Sequence, residues 1–179
     1  MVGAEPIDKP LMTADEFLNW DGGGLIGKLE LVNGEVRAMS PASGTHALIQ
    51  ENLAGLIWNQ IRTKKLPCRV GTEAPVQPQL HANDNVRAPD LAVTSLPDKD
   101  TKTFPDPVLI IEIMSPRNQK ETWEAIYACA TIPALHEIAV VESASARVEV
   151  YRRDRCRRVA VRRGSFRTRP NCAARKHWC

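Results

Sequence analysis

VRAPDLAVT (Val86–Thr94) and PVLIIEIMS (Pro107–Ser115) decide the fold, because each reads as a β-strand and each carries one acid, Asp90 and Glu112. The second segment is apolar enough to be buried on both faces, so its carboxylate needs a partner. Between them lies SLPDKDTKTFPD (Ser95–Asp106). If the two strands form an antiparallel hairpin closed at Thr94 and Pro107, opposed positions sum to 201, whereas the two acids sum to 202. Within the one-residue uncertainty of strand ends, Asp90 and Glu112 face each other across one ladder. Two bare carboxylates at that range repel, and one has to keep its proton; a shared divalent cation removes both penalties. The structural alternative is a carboxylate satisfied by backbone N–H groups or by an arginine such as Arg87 or Arg117.

The flanking sequence supplies the other elements. MTADEFLNW (Met12–Trp20) reads as a short helix capped at Thr13, with Glu16 completing a capping box, and DGGG (Asp21–Gly24) ends it. KLELVNGEVRAM (Lys28–Met39) alternates around Asn33-Gly34, a dipeptide that accepts the positive φ angles of a two-residue hairpin turn. Thr45–Lys65 places Leu48, Ile49, Leu53, Leu56, Ile57 and Ile61 at helical spacing behind a Ser43/Thr45 cap, which predicts a long helix packed on a sheet with His46 in its first turn. A proline-interrupted strand is expected over Cys68–Leu80, at an edge or a bend. A second helix follows over Gln119–Ala130, then strands at His136–Glu142 and Arg147–Arg153. Three consecutive strands between two helices, without βαβ alternation, argue for an α/β fold: a mixed sheet flanked by helices, with an N-terminal β-hairpin.

At 179 residues, 43% hydrophobic and 25% charged, the chain suits one soluble domain. No apolar run approaches the ~20 residues of a membrane span, and no signal peptide is evident, so a cytoplasmic protein with no membrane partner is expected. The net charge of +3 conceals two regions. Residues 1–151 hold 13 Lys and Arg against 20 Asp and Glu, a net of −7, while residues 152–179 hold 11 against one, a net of +10. The chain is therefore divided into a domain over residues 1–154 and a basic, Cys-containing tail over 155–179. The tail could bind nucleic acid through its arginines. The competing reading is a disordered or frame-shifted segment, because apolar periodicity stops there and Cys156, Cys172 and Cys179 crowd together. No CxxC spacing indicates zinc or a disulfide framework, and Cys68 and Cys129 read as core-facing positions.

Two acids on adjacent strands suit magnesium or manganese, which take oxygen ligands and keep open positions for water and a substrate phosphate. Such an ion lowers the pKa of bound water and stabilises charge on a phosphoryl transition state. The series Glu30-Leu31-Val32-Asn33-Gly34-Glu35-Val36, His46 at a helix start, Ala88-Pro89-Asp90, Ile111-Glu112-Ile113-Met114-Ser115-Pro116 and Ile132-Pro133, in that order, resembles the Uma-type restriction endonuclease family of the PD-(D/E)XK nuclease superfamily. The resemblance runs from about Met12 to Arg153. It implies a restriction-endonuclease-like core and a metal-dependent endonuclease, with Asp90 and Glu112 holding Mg2+ or Mn2+, Glu30 as an acid from the hairpin and His46 as the helix-start histidine. Glu30 could equally be the exposed side of a hairpin strand, and His46 a surface residue near the cap.

The pattern departs from the superfamily at its lysine. Met114 stands two residues after the second acid, and Trp123 stands four residues before Tyr127, the other usual place. Lys120, one helical turn before Trp123, is the candidate replacement, or else a solvated helix residue. Nucleic acid, DNA in the first instance, is the expected partner, and a homodimer is an open assembly. The alternative is a nuclease-fold protein that binds nucleic acid or a partner without cleaving; an enzyme of another phosphate ester is a third class.

Overall fold

The computed structural model describes residues 11–95 and 102–153 in full and the backbone of residues 5–6 and 159–162. The larger sheet has six strands in the order β4 (Arg69–Thr72), β5 (Leu91–Thr94), β6 (Pro107–Met114), β7 (Glu137–Glu142), β8 (Val148–Arg153) and β9 (Val159–Arg162). All neighbours run antiparallel except β6 and β7, which are parallel. A parallel pair needs a crossover, and α3 (Gln119–Cys129) supplies it. The smaller sheet is the hairpin β2 (Leu29–Val32) and β3 (Glu35–Ala38), with β1 (Glu5–Pro6) added along β3. Its turn residues Asn33 and Gly34 have φ of 53° and 83°, the left-handed pair that a tight hairpin requires.

Alternation along β6 divides the core. Ile111 and Ile113 join Leu91 under Ile49, Leu53 and Ile57 of α2 (Gly44–Lys64), on one face of the sheet. Ile110, with Ala92, Ile138 and Val140, packs under Ile126 and Cys129 of α3 on the other. The sheet is thus flanked by helices on both faces, as the element order predicts. Ser43 caps α2 by accepting the N–H of His46 at 3.2 Å, and Thr13 caps α1 (Ala14–Asn19) in a capping box with Glu16. Ala14 of α1 closes over Leu31, Val36 and Val86, the core of the hairpin unit.

The segment Val86–Thr94 is not one continuous strand. Val86 exchanges both backbone bonds with Leu31 of the small sheet, at 2.9 Å each, and Arg87 pairs with Val76. Pro89 has no N–H to give a ladder and Asp90 sits in a bend, so regular pairing in the larger sheet starts at Leu91. One short stretch therefore joins the two sheets, with Asp90 just past the junction. Likewise Cys68–Leu80 contributes only Arg69–Thr72 as a strand, and Val76 makes an isolated bridge between Pro75 and Pro78.

One expectation needs amendment. Cys68 is buried and disulfide-bonded, whereas Cys129 is, among the described residues, a buried free thiol. The reading of residues 155–179 as a disordered or frame-shifted segment falls mostly outside the described residues; the backbone of Val159–Arg162 pairs with β8. Among the described residues no helix is long and apolar enough to cross a membrane.

Candidate metal centre

Register brings the two acids together. Leu91, Ala92 and Val93 pair with Ile111, Ile110 and Leu109, all at a sum of 202, before a bulge at Val93/Thr94 shifts the ladder to Thr94 opposite Pro107. The sum of 201 thus holds at the turn end and 202 at the site end. The ladder ends at Leu91 opposite Ile111, one residue short of the two acids, and just beyond it Asp90 Oδ2 accepts the N–H of Ile113, the residue after Glu112, at 2.7 Å. Both acids are buried, at 4% and 6% exposure.

Three other elements converge on Asp90. Lys28, extending the hairpin ladder through its carbonyl bond from Met39 N–H, places Nζ 3.2 Å from Oδ1. His46, from the first turn of α2, places Nε2 3.2 Å from the same oxygen. One turn later Gln50 donates to the Asp90 carbonyl at 3.0 Å, so the start of α2 grips both the side chain and the backbone of this residue. His46 therefore faces the acids rather than solvent. Glu30 also turns inward: it accepts from Arg87 Nη1 at 3.2 Å and from the Ala88 N–H at 3.0 Å. The arginine alternative considered for Asp90 is thus realised at Glu30 instead.

The charges follow from these contacts. Burial works against ionising Asp90, but the His46 hydrogen bond, the Lys28 ammonium and the Ile113 N–H hold its carboxyl below the usual range. For Glu112, burial and then the neighbouring Asp90 charge push the carboxyl well above its ordinary value, and Lys28 offsets this only in part. Burial also opposes the charge on Lys28, yet Asp90, Glu112 and Glu30 together raise its pKa well above normal. Lys28 balances Asp90 and Arg87 balances Glu30, and among the described residues Glu112 is offset only in part, by Lys28. Against this cluster lies Cys129, whose thiol is pushed up by burial and by Glu112 and Glu30.

Among the described residues no group of three or more His, Cys, Asp or Glu side chains is placed to hold a metal ion. Two hard carboxylates, one of them offset only in part, fit a cation that keeps water and substrate in its remaining positions and do not fit a closed structural zinc. Lys120 is not brought here. It is 84% exposed on the outer side of α3, and its Nζ lies 3.9 Å from Glu124. Met114 and Trp123 pack against the core on the α3 side of the sheet, Trp123 edge-on to Tyr151 at 5.7 Å. The residue that sequence reading missed is Lys28. A signal was present: Lys28 and Glu30 are two apart on a strand, so the face given to Glu30 also belongs to Lys28.

The fold and the inward-facing acids define a protein of the restriction-endonuclease-like class. A family model described as "Putative restriction endonuclease", Uma2, matches residues 14–173, and the chain belongs to that family. The chain is 26% identical over 148 residues to an uncharacterized protein, slr1290, of Synechocystis sp., covering 81% of this chain and 76% of that one. It also shares its fold with the crystal structure of a putative nuclease belonging to DUF820 from Anabaena variabilis, at a TM-score of 0.65 and 21% identity, with 89% of each chain covered.

Proposed function

We propose that this protein is a metal-dependent endonuclease that hydrolyses nucleic-acid phosphodiester bonds, DNA in the first instance, with Asp90 and Glu112 as the ligands of a Mg2+ or Mn2+ ion. The observation that carries the reading is the buried pair itself at the junction of two sheets, Asp90 held toward its charged form by His46 and Lys28 and Glu112 pushed toward its neutral form by burial. When bound, the ion would acidify a water and draw charge from the scissile phosphate. The chain's own residues do the holding. His46 fixes the Asp90 carboxylate from the helix side, and the Ile113 N–H fixes its other oxygen, so the acid is oriented before any ligand arrives. Glu30 ties Arg87 and the Ala88 N–H together and thereby secures the chain immediately before Asp90. Family membership and the shared fold agree with nuclease chemistry.

The second reading, a scaffold that binds without cleaving, is favoured by Met114 and Trp123, since neither usual position offers a lysine. A plasmid-nicking assay with Mg2+ or Mn2+ separates the two. The expected result is metal-dependent nicking that disappears in Asp90→Asn and in Glu112→Gln, while Lys120→Ala retains it. A folded wild type that binds Mn2+ and leaves both DNA and RNA intact would establish the scaffold reading instead. Wild-type cleavage by the Asp90→Asn, Glu112→Gln double variant would remove these acids from the mechanism.

A further inference from the structure

We propose that Lys28 is the working lysine of this site: its ammonium neutralises the Asp90–Glu112 pair until a divalent cation takes over that charge, and it is then the cationic group that meets the incoming phosphodiester. The proposal rests on the nuclease reading and assigns a residue that the two usual lysine positions do not supply.

Three observations carry it. First, Nζ lies 3.2 Å from Asp90 Oδ1, and the ammonium feels Glu112 and Glu30 as well, so it stands where the carboxylates' charge converges. Second, among the described residues the other cations nearby have partners elsewhere or face solvent. Arg87 serves Glu30 and Asn85, Arg37 serves Glu35 and Glu124, Lys102 donates to Asn19 Oδ1, and Lys120 points to solvent. Third, Lys28 also lines an open cleft of about 330 Å3, together with Phe17, Leu18, Glu73, Ala88 and Lys102. The same residue therefore touches both the buried acid and a solvent-connected space from which a polyanion can approach. An ammonium and a divalent ion beside the same carboxylates repel, so binding the ion loosens the hold on Nζ. Once the carboxylates have a metal, the ammonium is free to pair with a phosphate oxygen, its best remaining anionic partner.

The test compares full-length wild type, Lys28→Met and Lys28→Arg by Mn2+ titration calorimetry and by plasmid cleavage at saturating Mn2+. Lys28→Met is expected to bind Mn2+ about tenfold tighter or more, because no ammonium opposes the ion. Its cleavage is expected to fall by ~10²–10³-fold, the scale for removing one preorganised charge-stabilising group. Lys28→Arg, which keeps the charge, should bind Mn2+ as wild type does and recover part of the cleavage. A folded Lys28→Met with unchanged or weaker Mn2+ affinity, or with the wild-type rate at saturation, would overturn the proposal. If Lys28→Met does not fold, Lys28→Arg decides the matter, and tenfold tighter Mn2+ binding by that variant would contradict charge exchange. A wild type that binds Mn2+ without cleaving fails the nuclease reading separately, and the two affinities then still test whether Lys28 competes with the ion.

Discussion

Glu112 is the residue on which the energetics of the centre turn. Burial and the adjacent Asp90 charge raise its folded-state pKa, so the folded protein keeps the Glu112 proton to higher pH than the unfolded chain does. The stability contributed by that proton is fully present below the unfolded value of about 4.3 and is lost as pH rises toward the folded pKa. Asp90 has the opposite sign, because its lowered pKa contributes stability at higher pH that is lost on acidification below about 4. In chelator-treated protein, Glu112→Gln should therefore melt increasingly above wild type as pH rises from about 4.5 to 7.5. Melting curves that stay parallel over this interval would show that Glu112 is charged in the fold. His46 acts on the same centre through Asp90. His46→Ala should leave the fold intact but cost ~10–100-fold in Mn2+ affinity or cleavage, the usual scale for a residue that orients a metal ligand. An unchanged affinity together with an unchanged rate would reduce the 3.2 Å contact to packing.

Among the elements, the hairpin matters most, since β2 and the residue before it deliver both Glu30 and Lys28 to the centre. Gly34 holds its turn at φ 83°, and a Cβ there would approach the Leu11 side chain at 3.3 Å and the Met12 carbonyl at 3.4 Å. Gly34→Ala is therefore expected to cost more than about 1 kcal/mol in chemical denaturation, from positive-φ strain combined with crowding. An unaltered denaturation midpoint would mean that the turn relaxes freely. This element was legible in the sequence because alternation and the Asn-Gly pair point to the same turn. So, to within one residue, was the register of β5 on β6, because the lengths of two apolar runs and one loop constrain it. The break inside Val86–Thr94 was not legible, since Val86, Arg87 and Leu91 all look strand-like and their three different partners are set by tertiary packing. Lys28 was overlooked for a related reason: a lysine at the start of a hairpin strand is ordinarily solvated, and only the approach of the second sheet buries this one against Asp90.

At the scale of the molecule, two sheets meet at one short stretch, and the acids sit at that junction, where α2 also ends its approach with His46 and Gln50. Any slippage between the hairpin unit and the larger sheet would separate Lys28 and Glu30 from Asp90, so the centre depends on the whole domain. The C-terminal boundary bears on this. The backbone of Val159–Arg162 pairs with β8, and the family match runs to residue 173, beyond the compositional boundary at 154. Ending the chain at Asp154 would leave β8 as an exposed sheet edge and is expected to lower the melting temperature by several degrees and to promote association. A truncated chain that melts with the full-length protein would restore the view of residues 155–179 as an appendage. The metal-site proposal requires that Asp90 and Glu112 ligate one and the same divalent cation. Anomalous diffraction from crystals grown with Mn2+ should then show one strong peak within roughly 2.0–2.6 Å of a carboxylate oxygen of each acid. Fully occupied Mn2+ elsewhere, with Lys28 still bonded to Asp90, would contradict it.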